Sequence, residues 1–266
     1  MGCALCVPKS LDVPSELREV LAKHSDIELL TETTDDARIE ETTELIAVSF
    51  AGSTKTAPEG NLSYMIDPDN PKVGEPLHEP PSPERLDFFR FIAKWTVQQT
   101  LRHNGCFVLR DEYNKLLAAT VIFLPNDQNL HDAGTCENIR VAQAVGFSNV
   151  PESLKHKGAT QQRSDIVSRK QKESHHQHAE KPHIYVWIFA VSVDSQGRGA
   201  GRKLMEFITD LADQMNVDVY LETIGERNER FYSRNGFEIR GHYAIKHASG
   251  SLEPGLAAAV RPPSKR

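Results

Sequence analysis

A strand-like stretch at residues 184–193 is apolar almost throughout and leads directly into a glycine-rich turn. A strand that is apolar on both faces is typical of the centre of a sheet. The turn contains Gly197, Gly199 and Gly201, and an amphipathic helix is predicted over residues 199–215. The apolar side of that helix comprises Leu204, Phe207, Ile208, Leu211 and Met215. This order, a buried strand followed by a helix, favours an α/β fold.

Composition restricts the class of protein. The chain has 266 residues, 39% hydrophobic and 26% charged, with a net charge of −6. These values predict one or two globular domains and exclude a disordered chain, a collagen or a coiled-coil rod. No apolar run approaches the ~20 residues of a membrane-spanning helix, and no secretory signal is predicted. The acidic balance favours no nucleic-acid partner. The scattered cysteines, Cys3, Cys6, Cys106 and Cys136, predict no disulfide framework and favour a cytoplasmic location.

The domain organisation follows from composition and periodicity. We predict a flexible N-terminus over residues 1–25, a folded domain over 26–246 and a flexible C-terminal tail over 247–266. The domain contains a proline-rich loop at 51–84 and a polar insertion with weak helical structure at 125–183. Other predicted elements are a short helix at 15–23, a strand at 27–30, helices at 35–50 and 85–103, a hairpin of 106–110 and 115–124, a strand at 217–222, a short helix at 228–234 and a strand from Phe237 onwards.

The glycine-rich turn has the composition of an anion site. Glycines allow backbone N–H groups to approach a ligand, and the N-terminus of the following helix adds unpaired donors and partial positive charge. A dinucleotide fingerprint or a phosphate-binding P-loop that starts at Gly197 requires glycine at position 202, which is arginine. The pattern Q-x-x-G-x-G fits, with Gln196, Gly199 and Gly201. The turn alone leaves a helix start without any ligand as an alternative.

A second block of residues follows downstream. Leu221-Glu222-Thr223 ends the next predicted strand, Asn228 follows, and then comes Phe231-Tyr232-Ser233-Arg234-Asn235-Gly236-Phe237. With both blocks in order, residues 184–245 resemble the GNAT superfamily of acetyl-CoA-dependent N-acetyltransferases. The step of four residues from Asn228 to Tyr232 resembles the puromycin N-acetyltransferase branch, whereas many other members have a step of seven. The resemblance implies an α/β fold with a mixed, mostly antiparallel sheet, flanking helices and a splayed central strand pair.

The resemblance also implies roles for individual residues. The coenzyme A pyrophosphate would bind Gln196, Gly197, Arg198, Gly199, Ala200, Gly201 and Arg202. The pantetheine arm would pair with the preceding strand at Ala190, Val191 and Val193. Asn228 would contact the coenzyme arm, and Tyr232 would protonate the departing thiolate. No metal is implied, and acetyl-CoA is the co-substrate.

The chemistry of acyl transfer gives two side chains a task. A tyrosine with a pKa near ~10 can protonate a thiolate of pKa ~8.5 at a cost of about 2 kcal/mol. An amine of pKa ~10.4 is neutral in only about 1 molecule in 2500 at pH 7, so it needs a base. Glu222, at the end of its strand, is the candidate base, with a surface or ion-pairing role as the alternative. For Tyr232 the alternative is a core position beside Phe231 and Phe237.

The expected acceptor is a primary amine of a small molecule. The alternatives are a protein or peptide N-acetyltransferase and a coenzyme A-binding regulator without activity. The histidines of the insertion, His175, His176, His178 and His183, are interpreted as part of a solvated linker rather than a metal site. At the N-terminus, Gly2 followed by Cys3 and Cys6 is compatible with myristoylation and palmitoylation, and hence with membrane association, although position 6 lacks the usual Ser or Thr.

Overall fold

The computed structural model describes residues 12–66, 75–125, 135–146, 150–151, 158–246 and 252–264. Its helices are α1 (Ser15–Lys23), α2 (Asp36–Ala51), α3 (Gly60–Ile66), α4 (Pro83–Thr100), α5 (Thr135–Val145), α6 (Ala159–His178), α7 (Ala200–Met215) and α8 (Glu226–Arg234). Its strands are β1 (Ile27–Leu30), β2 (Cys106–Arg110), β3 (Leu116–Phe123), β4 (His183–Val191), β5 (Asp218–Thr223), β6 (Glu238–Lys246) and β7 (Leu252–Arg261). Short 3₁₀ turns follow α4 and β4, at Leu101–His103 and Val193–Ser195.

The strands form one seven-stranded sheet in the order β1-β2-β3-β4-β5-β7-β6. The β4–β5 pair is parallel, and the other pairs are antiparallel. A parallel pair needs a crossover connection, and helix α7 supplies it between β4 and β5. The predicted fold class, a mixed and mostly antiparallel sheet flanked by helices, is confirmed.

Apolar cores cover both faces of the sheet. On one face, α7 and α1 pack their buried Leu204, Phe207 and Leu17 against the strands. On the other face, α2 and α4 pack over the β2–β4 half through residues such as Ile46 and Phe88. The far half of that second face holds an aromatic cluster of Phe123, Tyr185 and Tyr220, which helix α6 covers. Among the described residues no helix is long and apolar enough to cross a membrane.

The structure corrects the predicted C-terminal tail. Residues 252–261 are strand β7, which lies between β5 and β6 and pairs with both. Leu256, Val260 and the three alanines between them are at most 1% exposed. Alanine has weak strand propensity, so the local pattern did not indicate a strand, and long-range pairing decides the structure instead.

The structure also contains helices in three other segments: the N-terminus that was predicted to be flexible, the polar insertion and the proline-rich loop. Helix α1 lies within the segment predicted to be flexible, yet its Leu17 and Val20 are buried against α7. Helix α6 runs for 20 residues through the insertion and buries Val167 and Ser174. The proline-rich loop contains α3, and Arg85 of α4 anchors it by donating to Ala51 O at 2.9 Å and to Ser63 Oγ at 2.6 Å.

Candidate active site

Strands β4 and β5 diverge in the middle of the sheet. Their pairing runs from His183↔Asp218 to Val186↔Leu221 and then stops. Strand β4 continues to Val191, whereas the end of β5 at Glu222 and Thr223 pairs with β7 on its other side. Among the described residues, the backbone edge of β4 that faces β5 therefore has no strand partner over residues 188–191. The opening can accept an extended chain by backbone hydrogen bonds, as an added strand would.

A bulge in β4 lies at the start of this opening. Ile122 of β3 pairs with Val186, and its neighbour Val121 pairs with Ile188, so Trp187 is an extra residue on β4. One extra residue exchanges the two faces for every side chain that follows. Accordingly Val186 belongs to the core under α7, whereas Ile188 belongs to the core under α2 and α4. The bulge thereby brings Phe189 to the α7 side, next to helix α8.

The predicted anion turn joins β4 to α7. Gly199 is the residue before the helix and has φ 92°, a conformation that favours glycine. The first helical hydrogen bond is Lys203 N to Gly199 O. Within the described residues, the backbone N–H groups of 199–202 have no acceptor on the protein, and no side chain caps the helix. Four successive donors at the start of a 16-residue helix fit an anionic group such as a diphosphate.

Side chains around the turn support the same assignment. Gln196 is half-buried and accepts a hydrogen bond from Arg227 Nη2 at 3.3 Å, which connects the turn to the start of α8. Arg198 is exposed and forms no ion pair within the described part of the chain. Arg202 instead pairs with Glu206 at 2.8 Å along its own helix. Among the described residues, Arg198 is therefore available to bind an anion at the edge of the turn.

The predicted strand-edge residues fall in two places. Ala190 and Val191 lie at the open end of β4, as expected. Val193 does not, because the chain leaves the sheet at Ser192 and enters a 3₁₀ turn. The Ser192 Oγ–Ser195 Oγ contact at 2.7 Å and the Ser195 N to Ser192 O bond stabilise that turn. The prediction that Val193 extends the strand is wrong.

Tyr232 lies on the α7 side of the opening. It is 8% exposed, and its ring contacts those of Phe189, Phe231 and Phe237 at centroid distances of 6.3, 5.2 and 5.6 Å. Its hydroxyl has no hydrogen-bond partner among the described residues and is not one of the buried unpaired atoms, so it retains contact with solvent. Burial raises the pKa of Tyr232 above its ordinary value of 10. The side chain therefore remains protonated, as a proton donor must.

Asn228 is in the first turn of α8. Its side-chain amide donates to Ile224 O at 3.0 Å, which fixes the loop that connects β5 to α8. The remaining side-chain oxygen of this exposed residue is available to a ligand. A contact with the coenzyme arm stays a prediction for Asn228.

Glu222 lies on the opposite face of β5 from Tyr232. Alternate residues of a strand point to opposite faces, and Tyr232 packs in the core that contains Leu221, whereas Glu222 accepts a hydrogen bond from Tyr220. Tyr220 Oη lies 2.7 Å from Glu222 Oε1, and Tyr185 Oη lies 2.6 Å from Oε2. The acid and base candidates thus approach the opening from its two sides.

Burial raises the pKa of Glu222 to about 7, although the hydrogen bonds from Tyr185 and Tyr220 act in the opposite direction. A carboxyl group with a pKa near the operating pH is a better general base than one at 4.5, because it gives up less free energy in taking a proton from an ammonium group. An ion-pairing role was the alternative for Glu222, and the described residues give it no cationic partner. The sequence analysis missed Tyr185 and Tyr220, although the spacing of Tyr220 and Glu222 in one strand places them on the same face.

Helix α3 lies against the same region. A Cβ atom on Gly60 would be 3.0 Å from Ile224 Cγ2, so a larger residue at this position would require the Ile224 side chain to shift. Leu62 and Met65 of α3 pack against the core under α2 and α4, and so does Trp187 of β4. The described part of the proline-rich loop therefore borders the Glu222 side of the opening.

The histidines of the insertion are not in a solvated linker. His183 is 1% exposed, and its Nε2 lies 2.9 Å from His175 Nε2. His178 Nε2 lies 2.8 Å from the hydroxyl of Tyr243 in β6. That interpretation is wrong for His175 and His178, which helix α6 directs onto the sheet, and for His183, which lies in β4; His176 is an exposed residue of α6. Among the described residues no group of three or more His, Cys, Asp or Glu side chains is placed to hold a metal ion.

Part of the chain matches a known protein family. The acetyltransferase (GNAT) domain family matches residues 166–239, which include the opening, the turn and Tyr232. None of the curated proteins matches the chain in sequence.

Solved structures share the fold at low sequence identity. Arylalkylamine N-acetyltransferase 2 from Aedes aegypti is 13% identical, with a TM-score of 0.51, over 90% of this chain and 100% of that chain. The apo form of a mutant agmatine N-acetyltransferase is 16% identical, with a TM-score of 0.50, over 88% and 97%. The C-terminal condensation domain of Ebony in complex with beta-alanyl-dopamine is 10% identical, with a TM-score of 0.52, over 89% and 98%. Residues 166–239 therefore match a GNAT acetyltransferase domain, and this match identifies the protein as an enzyme.

Proposed function

We propose that the protein is an N-acetyltransferase that moves the acetyl group of acetyl-CoA to a primary amine of a small molecule. The observation that carries the proposal is the opening between β4 and β5, with the four unpaired N–H groups of residues 199–202 beside it. The diphosphate of the coenzyme would bind those donors. Its pantetheine arm would pair with β4 at Ala190 and Val191 and would bring the thioester to the level of Trp187.

The two sides of the opening have different tasks in this proposal. Glu222 takes a proton from the ammonium group, and the neutral nitrogen then attacks the acetyl carbonyl carbon. The carbon–sulfur bond breaks, and Tyr232 protonates the thiolate that leaves. The nitrogen loses its second proton as the amide forms, and this proton restores the Tyr232 hydroxyl through solvent, while the proton on Glu222 is released to solvent. The amine enters from the face of Glu222, and the coenzyme lies on the face of Tyr232 and α7. This arrangement separates the two proton transfers.

Two observations support a small acceptor. Helix α3 borders the Glu222 side through its contact with Ile224, which restricts the open groove that an extended polypeptide needs. The step of four residues from Asn228 to Tyr232 is similar to that of the puromycin N-acetyltransferase type and supports a small amine as acceptor. The amine-acetylating neighbours named above share the fold and are consistent with this substrate class.

A substrate screen tests the proposal. The purified protein is incubated with acetyl-CoA and one of four acceptors: agmatine, 2-phenylethylamine, puromycin, or a short peptide with a free N-terminus. We expect thiol release above background with at least one of the small amines. Release with the peptide alone would transfer the activity to the protein-acetyltransferase class. Coenzyme binding without release for any acceptor would favour the non-catalytic regulator.

Coenzyme binding can be tested at the turn itself. A Cβ atom on Gly201 would lie 3.3 Å from Val191 Cγ2, so Gly201→Val should fill the space between the turn and the end of β4. Gly199→Ala adds a side chain at φ 92°, where it strains the first of the four donors. We expect each variant to weaken acetyl-CoA binding at least tenfold, because one hydrogen bond to a charged group is worth ~1.5–3 kcal/mol.

Isothermal titration calorimetry measures that affinity. Gly236→Ala is the matched control, because Gly236 also has a positive φ of 86° and its added Cβ would make only ordinary contacts with Arg261. The control should be destabilised to a similar degree and bind the coenzyme normally. Wild-type affinity in both turn variants would remove the turn from the binding site.

Membrane association remains a separate prediction, because Gly2, Cys3 and Cys6 lie outside the described residues. A single myristoyl chain gives only marginal membrane binding, and a second acyl chain is needed for stable anchoring. If Gly2 is acylated in eukaryotic cells, Gly2→Ala should release the protein into the soluble fraction. Cys3→Ser with Cys6→Ser should leave weak association. An intact-mass spectrum without either lipid would contradict the prediction.

A further inference from the structure

Helix α6 contributes a buried hydroxyl to the surroundings of Glu222. We propose that Ser174 is a positioning residue, which donates to Tyr220 and so holds Tyr220 as a donor to the Glu222 carboxylate. The inference rests on the proposed function only in giving Glu222 the task of a base. It gives helix α6, which lies in the predicted insertion, a role in acid–base catalysis. This helix is separate from the glycine-rich turn and from helix α8, which carries Tyr232.

The direction of the hydrogen bonds follows from counting protons. An ionised carboxylate can only accept, and Tyr220 has a single hydroxyl proton, which it donates to Glu222 Oε1 at 2.7 Å. The Ser174 Oγ–Tyr220 Oη contact of 2.8 Å must therefore be donated by Ser174. The order of donation is Ser174 to Tyr220 to Glu222. In such a chain each bond polarises the next and strengthens it.

Burial makes this order obligatory while Glu222 is ionised. Ser174 and Tyr220 are both 0% exposed, so their hydroxyl groups satisfy their hydrogen bonds inside the protein. The second oxygen of Glu222 accepts from Tyr185, which is 2% exposed. Both carboxylate oxygens are thus held by phenol groups, and rotation of the Glu222 carboxyl would break two bonds. The carboxyl plane is fixed before any substrate arrives.

Other titratable groups lie around this chain. The ring of His175 in α6 is 5.0 Å from that of Tyr185 and 5.1 Å from that of Tyr220. His183 in β4 is 5.8 Å from Tyr220, and burial lowers the pKa of His183. Burial raises the pKa of Tyr243 in β6, and the negative charge of Glu222 contributes to that rise. Strand β7 faces Glu222 with Ala258. The two tyrosine hydroxyls are the direct hydrogen-bond donors to the carboxylate.

The protonation of Glu222 is the readout that distinguishes positioning from mere packing. Because Tyr220 stabilises the ionised form, Tyr220→Phe should raise the pKa of Glu222 by about one unit, which is a tenfold change in the ionised fraction on the acidic side. Ser174→Ala leaves the Tyr220–Glu222 bond in place and weakens it, so it should raise the pKa by a smaller amount. Ser168→Ala, the same substitution on the same helix, should leave it unchanged.

The measurement is a carbon-13 NMR titration of glutamate carboxyl groups in the full-length protein, with Glu222→Gln identifying the Glu222 signal. Thermal melting followed by circular dichroism shows that each variant is folded. An unchanged Glu222 titration in both folded variants would overturn the inference. The titration needs no acceptor, so its result is independent of the substrate screen. Full acetyltransferase activity of Glu222→Gln would instead contradict the role of Glu222 as the base.

Discussion

Replacing Tyr232 with phenylalanine should reduce turnover by about 10² or more while acetyl-CoA binding persists. The substitution removes one hydroxyl group that has no partner among the described residues, and it leaves the ring in contact with Phe189, Phe231 and Phe237. Packing is therefore preserved, and a loss of turnover reports the missing proton. Steady-state thiol release gives the rate, and calorimetry gives the coenzyme affinity.

The raised pKa of Tyr232 refines this expectation. Burial disfavours the phenolate, so proton donation costs more than the about 2 kcal/mol that applies to an ordinary tyrosine and thiol. Donation then depends on the thiolate being formed in the same desolvated opening, where burial disfavours its charged form as well. Tyr113→Phe is the matched control, because Tyr113 is 82% exposed in the turn between β2 and β3. Equal turnover of Tyr232→Phe and wild type, with chemistry rate-limiting, would exclude Tyr232 as the acid.

Sequence reasoning succeeded where a structure depends on neighbours along the chain. Strand β4, the glycine turn and helix α7 were predicted within about two residues, because apolar periodicity and glycine positions are local signals. Helix α2 was predicted from Asp35, which does cap it by accepting from Arg38 N at 3.0 Å. The mixed, mostly antiparallel character of the sheet followed from the resemblance rather than from periodicity.

The failures lie where distant pairing decides the structure. Strand β7 consists largely of small residues and becomes a strand because β5 and β6 offer two edges to it. The polar sequence of α6 has low mean hydropathy, yet the helix is held by Ser174 and His175 against aromatic residues of β4 and β5. Ser174 and Tyr220, for example, are 46 residues apart in the sequence, so no local pattern indicates their contact. Glu222 was predicted as a candidate base, but the two tyrosines that hydrogen-bond to it were not predicted.

Glutamine at position 222 should reduce kcat/KM at pH 7 by about 10²–10⁴, the range for a lost general base. The substitution should also remove one ionisation from the pH dependence of kcat/KM. With a pKa of about 7, the Glu222 carboxyl of the wild type is protonated at low pH and becomes a base as the pH rises. The wild-type kcat/KM should therefore increase through about pH 7, before any further increase from ionisation of the amine. Glu222→Gln should show only the latter increase.

The comparison between acceptors makes this prediction sharper. An aliphatic amine of pKa ~10.4 costs about 4.6 kcal/mol to deprotonate at pH 7, whereas an amine of pKa ~8 costs about 1.4 kcal/mol. Loss of the base should thus lower kcat/KM for agmatine more than kcat/KM for an acceptor with a weakly basic amine. For each acceptor, the difference in kcat/KM between the wild type and Glu222→Gln should decrease as the pH approaches the pKa of the amine. Glu226→Gln is the matched control, because Glu226 is an exposed carboxylate at the start of α8. A Glu222→Gln variant that retains the limb near pH 7 would show that another group titrates there, and the base would have to be sought elsewhere around the opening.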